Sequence, residues 1–489
     1  MVGQSMSESE FVLAIEIGGS HVVVATARLA QSEQTEVALH EWAHSQRRAP
    51  AIAYLAHDET LLFGDEAAQR ASEDPARAVT GFTHRLGDDI PFAIDGCALP
   101  AELVYAAAAL WAIDTVTDIE GVAPVALTLA HPAHWGEHRL ATVRDALTLQ
   151  GVTEITLIPA AKAAAMHLDA SHPLESGETV AVYDLGASTV ESVVLRKRHD
   201  GLFDIIGDAV HIENIGGAGF EDAVLEHVIA AGALDLEQFA PHHDASLLRH
   251  TVRAAKEALS SHPDATIDIP TAATSVRITR AEFEEMIVDD IDESLEAVTQ
   301  AIESAHLTPA ALSAIVLAGG SSRIPFVAQR VSDRFDRPVV VDAVPEAAAV
   351  LGAARAELAE RHARQLSENG ADGEPDGSTD DAQSFSPVLV GASRDSASPL
   401  RRGLFIFFTI VATVMAGAIV LGGAAALGDT RAGPSSDHPT NPPAAPRPTP
   451  NPNPESAPGA DPPPNRDPTR TEPMPQNPAQ EQSSGVDTD

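Results

Sequence analysis

The chain has 489 residues, 44% of them hydrophobic, which is long enough for two or three domains and apolar enough for a sizeable core. Its 71 acidic against 31 basic residues give a formal net charge of -40, which argues against a nucleic-acid partner because nothing would neutralise the phosphates. A single cysteine, Cys97, excludes an intrachain disulfide framework and a cysteine-based zinc site.

The first apolar run, Phe11 to Ile17, is interrupted by Glu16 and has no basic region before it, so it reads as a strand and not as a secretory leader. It leads through Gly18-Gly19-Ser20 into the β-branched run His21 to Thr26, a strand, tight turn, strand pattern with an acid just before the turn. The same layout returns 168 residues later. Val180 to Tyr183 is an apolar strand, Asp184 the acid, and Leu185-Gly186-Ala187-Ser188-Thr189 leads into Val190 to Leu195. Small residues at such turns let backbone N-H groups approach phosphate oxygens, hydroxyls add donors, and the acid can hold magnesium directly or through water. Two hairpins of this kind facing each other would grip a triphosphate from both sides.

Two further glycine pairs follow, Gly216-Gly217 and Gly319-Gly320, the second after the apolar strand Ile315 to Ala318 and before a helix-compatible stretch from Pro325. A backbone turn there is placed to meet a nucleotide. Between them, Ala281 to His306 reads as a helix whose acids form a solvated face.

Toward the C-terminus, Ser367 to Ser386 is rich in Gly, Asp and Ser, and Gly403 to Leu427 holds no charged residue over 25 positions. That is long enough for a helix to cross a hydrocarbon core of about 30 Å. Arg394, Arg401 and Arg402 precede it and Asp429 and Arg431 follow, which orients the N-terminal part to the cytoplasm and makes the chain a single-pass membrane protein. The remainder is proline-rich, with runs such as Asp461-Pro462-Pro463-Pro464 that favour extended conformations without a core.

The order of motifs over Phe11 to Leu358 resembles the actin-like ATPase superfamily, and specifically the nucleotide-binding domain of the heat-shock protein 70 (DnaK-type) chaperones. Besides both hairpins, Leu127 to Trp135 with Arg139 is similar to that family's strand, switch proline (Pro132) and arginine. Ala163-Ala164-Ala165 resembles its first inter-lobe connection, and Gly352-Ala353-Ala354 its second. Arg253 to Ser261 resembles its adenosine-binding helix and Gly319 to Arg323 its second adenosine loop.

The resemblance implies an α/β, two-lobed fold of duplicated ribonuclease-H-like domains over residues 1-360. A disordered linker over 361-402, the span at 403-427 and a disordered tail over 428-489 would follow. It also implies ATP or ADP with magnesium as ligands. Gly18, Gly19, Ser20, Gly186, Ala187, Ser188, Thr189, Gly216, Gly217, Lys256, Ser260, Gly319, Gly320, Ser321 and Arg323 become nucleotide-binding candidates. Glu16 and Asp184 become magnesium candidates, Asp184 and Thr189 catalytic candidates, and Pro132 and Arg139 an inter-lobe switch.

The departures bear on hydrolysis. The first hairpin carries Glu16 where the family has aspartate, and Glu191 likewise follows the second hairpin's hydroxyl pair. Thr83 falls where the family keeps its catalytic lysine, and no lysine precedes Lys162; Arg85 is a stand-in of different geometry. Ala160 falls on the family's glutamate, with Lys162 nearby but of the wrong charge, and Arg253 replaces an adenosine-side acid. No segment remains for the family's peptide-binding domain. The expectation is an ATP-binding, chaperone-like, membrane-anchored protein with slow or vestigial ATPase activity and unidentified protein partners, the alternative being a nucleotide-sensing scaffold for envelope machinery.

Overall fold

In a computed structural model the described residues are 10-29, 35-43, 46-232, 243-269 and 274-371. The chain divides into two units, Met1-Ala425 and Ala426-Asp489, and every described residue lies in the first. The predicted span at 403-427 and the proline-rich tail lie outside the described residues. Among the described helices none is long and apolar enough to cross a membrane.

Two sheets of the same plan organise this unit. In the first, Val12-Ile17 pairs antiparallel with His21-Leu29, which pairs with Thr35-Leu39; on its other side Val12-Ile17 runs parallel to Ala126-His131, which is parallel to Thr156-Pro159. In the second, Thr179-Leu185 pairs antiparallel with Thr189-Lys197, which pairs with Phe203-Ile205, and runs parallel to Ala314-Ala318 and onward to Val339-Val341. The topologies superpose element for element, so the echo between the two hairpins is the visible edge of a duplicated α/β lobe. Burial explains the strand sequences. Val12 to Ile15 and Thr179 to Tyr183 are buried on both faces, so they read as continuous apolar runs instead of alternating ones.

Each sheet closes its outer face with its own core. Phe11, Leu13, Ile15 and Val24 pack with Tyr105, Ala109 and Val116 of the helix Ala101-Glu120 in the first lobe. Tyr183, Leu185 and Val194 pack with Phe283, Ile287 and Ile291 of the helix Arg280-Ser304 in the second. That helix starts on a reciprocal cap, Thr279 and Glu282 each bonding the other's backbone N-H, and its boundaries follow the periodicity of the sequence closely. The three tryptophans are packing residues: Trp42 stacks on Trp111 at 4.7 Å and Trp135 on His131 at 5.9 Å.

The inner faces are covered by two crossing helices, Ala160-Ser171 and Ala348-Ala371, the second running past the residue-360 boundary of the sequence reading. Val180 and Val182 of the second sheet pack on Ala161, Ala164 and Ala165, while Val12 and Ala14 of the first pack on Val350, Ala353 and Ala354. Their crossing is tight. A Cβ on Gly352 would lie 1.8 Å from the Ala163 carbonyl oxygen, so no larger residue fits without moving one helix. The alanine-rich composition of both segments is therefore a consequence of the crossing that joins the lobes.

Candidate functional site

The two hairpin turns are closed identically: Gly18 N-H donates to the His21 carbonyl and Gly186 N-H to the Thr189 carbonyl, each at 2.9 Å. They face one another across a cleft of about 670 Å³. A Cβ on Gly19 would stand 3.5 Å from Ser188 Oγ, and His84 Nε2 lies 3.4 Å from the same hydroxyl. His84 thus sits between the two turns. The sequence reading missed it because it adjoins Thr83, the position that drew attention.

Nearly all sequence-derived candidates line this cleft: Glu16, Gly18, Gly19, Ser20, Pro132, Arg139, Asp184, Gly186, Ala187, Ser188, Thr189, Gly217, Lys256, Ser260, Gly319, Gly320, Ser321 and Arg323. Gly216 is the exception. It stands behind the second turn, where a Cβ would meet the Gly186 carbonyl oxygen at 2.8 Å, and the next residue, Gly217, donates its N-H to that oxygen at 3.1 Å. Its role is to let the helix Gly217-Ala230 approach the turn. Gly319 combines packing with position: at φ +80 it leaves room for Asp184 Oδ1 and the Leu185 carbonyl, which a Cβ would meet at 2.3 and 2.4 Å.

Three carboxylates meet at the cleft floor. Burial, then the charges of Asp184 and Glu191, push Glu16 up to about 8; burial and then Glu191 push Asp184 up to about 7. Like charges held this close are relieved by a dication, and an all-oxygen donor set suits magnesium, which takes one or two carboxylates and completes its shell with water and phosphate. The residues present therefore fit a magnesium-nucleotide. Farther along the cleft the charge reverses. Burial first, and then Arg48, Arg253 and Lys256, push the His21 imidazole down to about 3.

Around Lys256 and Arg323 the basic residues are held by acids that sequence reasoning did not single out. Glu221 accepts from Lys256 Nζ at 2.7 Å and from two nitrogens of Arg253 at 3.0 and 3.1 Å. Arg323 makes a two-pronged pair with Glu346, both bonds at 2.8 Å. Ser321 Oγ donates to the Gly186 carbonyl at 2.8 Å, tying the loop Gly319-Arg323 to the second turn.

The departures from the family pattern are also placed. Thr83 is buried at the cleft wall with its hydroxyl unpartnered, and Ala160 lines the cleft at 5% exposure. Neither basic residue nearby in sequence compensates. Arg85 turns away, donating to the Ile90 carbonyl at 2.5 Å and pairing with Asp88, and Lys162 is not among the cleft residues. Arg139 Nε donates to the Leu86 carbonyl at 3.0 Å, so Arg139 grips the segment that contains Thr83. Across the lobes, Glu191 accepts from the backbone N-H groups of Ala133 and His134 at 2.8 and 3.0 Å, just past Pro132.

The profile of a family described as Hsp70 protein matches residues 112-359. The chain is 26% identical over 377 residues to the chaperone protein HscA homologue of Burkholderia cenocepacia, covering 71% of this chain and 58% of that one. It is 31% identical over 270 residues to the HscA homologue of Burkholderia multivorans, covering 53% of this chain and 42% of that one. The chain thus spans a little over half the length of the first of these relatives and less of the second.

Proposed function

The chain belongs to the Hsp70 family, and from that premise we propose that it is an ATP-binding, chaperone-like module that holds magnesium-nucleotide between its lobes and hydrolyses it slowly. The supporting observation is the convergence of both hairpin turns and both adenosine elements on one cleft. In this reading the turns at Gly18-Ser20 and Gly186-Thr189 cradle the phosphates, Glu16 and Asp184 hold magnesium mainly through water, and Lys256, Ser260, Ser321 and Arg323 enclose the nucleoside. Magnesium would supply charge neutralisation on the phosphates.

Slow hydrolysis follows from what surrounds the reacting phosphate. Phosphoryl transfer depends on positioning and charge stabilisation, and Thr83 and Ala160 bring neither a cation nor a general base. Removing a group of that kind lowers rates by about 10²- to 10⁴-fold. The nucleotide then serves as a ligand whose identity sets lobe closure, which protein partners read. Calorimetric titration of the full chain with ATP and ADP in magnesium buffer tests this. Saturable binding of both supports it, and absence of binding to either overturns it.

Location belongs to the same proposal. Residues 403-427 form a single membrane span that leaves the nucleotide-binding unit in the cytoplasm and the proline-rich tail outside, a reading supported by their uncharged composition and the arginines before them. Carbonate extraction of membranes checks it. Retention of the full chain in the pellet, with release when 403-427 is deleted, is the expected result; extraction of the full chain contradicts it.

A further inference from the structure

A second cluster, at the lobe junction, begins at Glu191, the third carboxylate of the cleft floor. Glu191 and His211 are directly opposed across the antiparallel pair formed by Thr189-Lys197 and Val210-Glu213, a register that sets their side chains on one face of the second sheet. His134 arrives from the other lobe, on the loop after Pro132, and its Nδ1 lies 2.7 Å from Glu191 Oε1. Its ring stacks on His211 at 3.8 Å with the planes 23° apart. Ligating atoms of all three lie within 4.8 Å of one another, and their side chains are only 21%, 10% and 18% exposed for His134, Glu191 and His211.

We propose that His134, Glu191 and His211 form a transition-metal site that takes zinc and staples the switch loop of the first lobe to the second. Two imidazoles and a carboxylate are the donor set of three-ligand zinc sites that keep a fourth position open, and all three residues border the cleft, where water or a phosphate oxygen can complete the tetrahedron. Ligands about 2.0-2.1 Å from a tetrahedral ion stand about 3.3 Å apart, so closure from the observed spacing takes shifts of about an ångström. Stacked rings cannot both aim a lone pair at one ion. One imidazole therefore turns about its second side-chain torsion, which has broad wells and allows this at little cost.

Further observations favour a metal over a plain hydrogen-bonded pair. His211 Nδ1 is buried and has no hydrogen-bond partner, leaving a donor or acceptor unsatisfied that coordination or ring rotation would employ. The nitrogen donors separate this site from the magnesium position at Glu16 and Asp184. Imidazole suits zinc, cobalt, nickel and copper, whereas magnesium prefers carboxylate and water. Because His134 comes from the first lobe and Glu191 and His211 from the second, an occupied site would hold the lobes together whether or not nucleotide is bound.

Cobalt(II) titration of the full chain without nucleotide tests the site through its visible absorption. The expected result is one cobalt per chain with the intense bands of a tetrahedral ion, bleached by zinc. His211→Ala and His134→Ala should each weaken cobalt binding at least tenfold with the far-ultraviolet dichroism unchanged, and the exposed His172→Ala should match the parent. Zinc should also slow hydrogen exchange at the amides of Ala133 and His134 in the parent chain but not in His211→Ala, and His211→Gln serves where the alanine variant does not fold. Absence of tetrahedral bands in the parent, or bands and affinity unchanged in the His211 variants, overturns the proposal. Because no nucleotide is present, neither result depends on the ATP-binding reading.

Discussion

Arg48 of the first lobe donates to Glu257 of the second at 2.7 Å, across the mouth of the cleft and between residues 209 apart in sequence. Glu257 sits one residue after Lys256 on the helix His243-Leu259, so this latch closes over the side of the cleft assigned to the nucleoside. Both partners are partly exposed, at 29% and 45%, which limits the pair to under about 1 kcal/mol. Arg48→Ala should therefore speed release of a fluorescent ADP analogue by about 2- to 5-fold, and high salt should erase the difference. Stopped-flow displacement measures it. An Arg48→Ala, Glu257→Ala cycle should show the two losses to be non-additive.

The carboxylates at the cleft floor predict opposite pH trends with and without ligand. Glu16 and Asp184 hold protons more tightly in the fold than in the unfolded chain, so their contribution to ligand-free stability is full below the unfolded values near 4.5 and 3.8. It is lost as pH rises through about 7 and about 8. Thermal melts of the ligand-free chain should fall over that window, and Glu16→Gln should flatten part of the fall. Magnesium must displace those protons, so magnesium-dependent nucleotide affinity should instead rise over the same range, by about tenfold per pH unit where one proton is released. Titrations at about pH 6 and about pH 8.5 check both signs.

Restoring the absent charges should restore rate. Thr83 and Ala160 both border the cleft, so Thr83→Lys with Ala160→Glu places a cation and a base where none stands. Single-turnover hydrolysis in the double variant should rise by about 10²-fold or more. A rate equal to the parent would locate the defect elsewhere.

The crossing of the two connecting helices predicts a stability effect far from any ligand. Gly352→Ala forces a methyl against the Ala163 carbonyl, and the required displacement costs about 1-3 kcal/mol, which differential scanning calorimetry reads as a lower Tm.

Much of this arrangement was legible in the sequence because its signals are local. An acid, a glycine and a hydroxyl between two β-branched runs specify a tight hairpin wherever they occur, and repetition at 168 residues identified the duplication. The family resemblance, not a local signal, implied the connecting helices at Ala163-Ala165 and Gly352-Ala354. What was not legible depends on which segments the closed lobes bring together. His84 reaches the turns while the next residue, Arg85, the expected stand-in for a missing lysine, turns away and bonds the Ile90 carbonyl. Neighbouring residues in a turn differ in direction, which residue type alone does not reveal. Glu221, Glu257 and Glu346 are ordinary helical or turn acids until Lys256, Arg48 and Arg323 arrive beside them. The Glu191 and His211 pairing follows from a strand register set by the intervening strand at Phe203-Ile205, and their meeting with His134 from lobe closure.

The most direct test incubates the full chain with labelled ATP and magnesium, isolates the protein after successive intervals and counts ATP and ADP in the bound fraction. The account predicts about one nucleotide per chain, retained mainly as ATP long after a 10²-fold faster enzyme would have converted it, and lost in Asp184→Asn. No bound nucleotide, or prompt conversion to ADP by the parent chain, would contradict it.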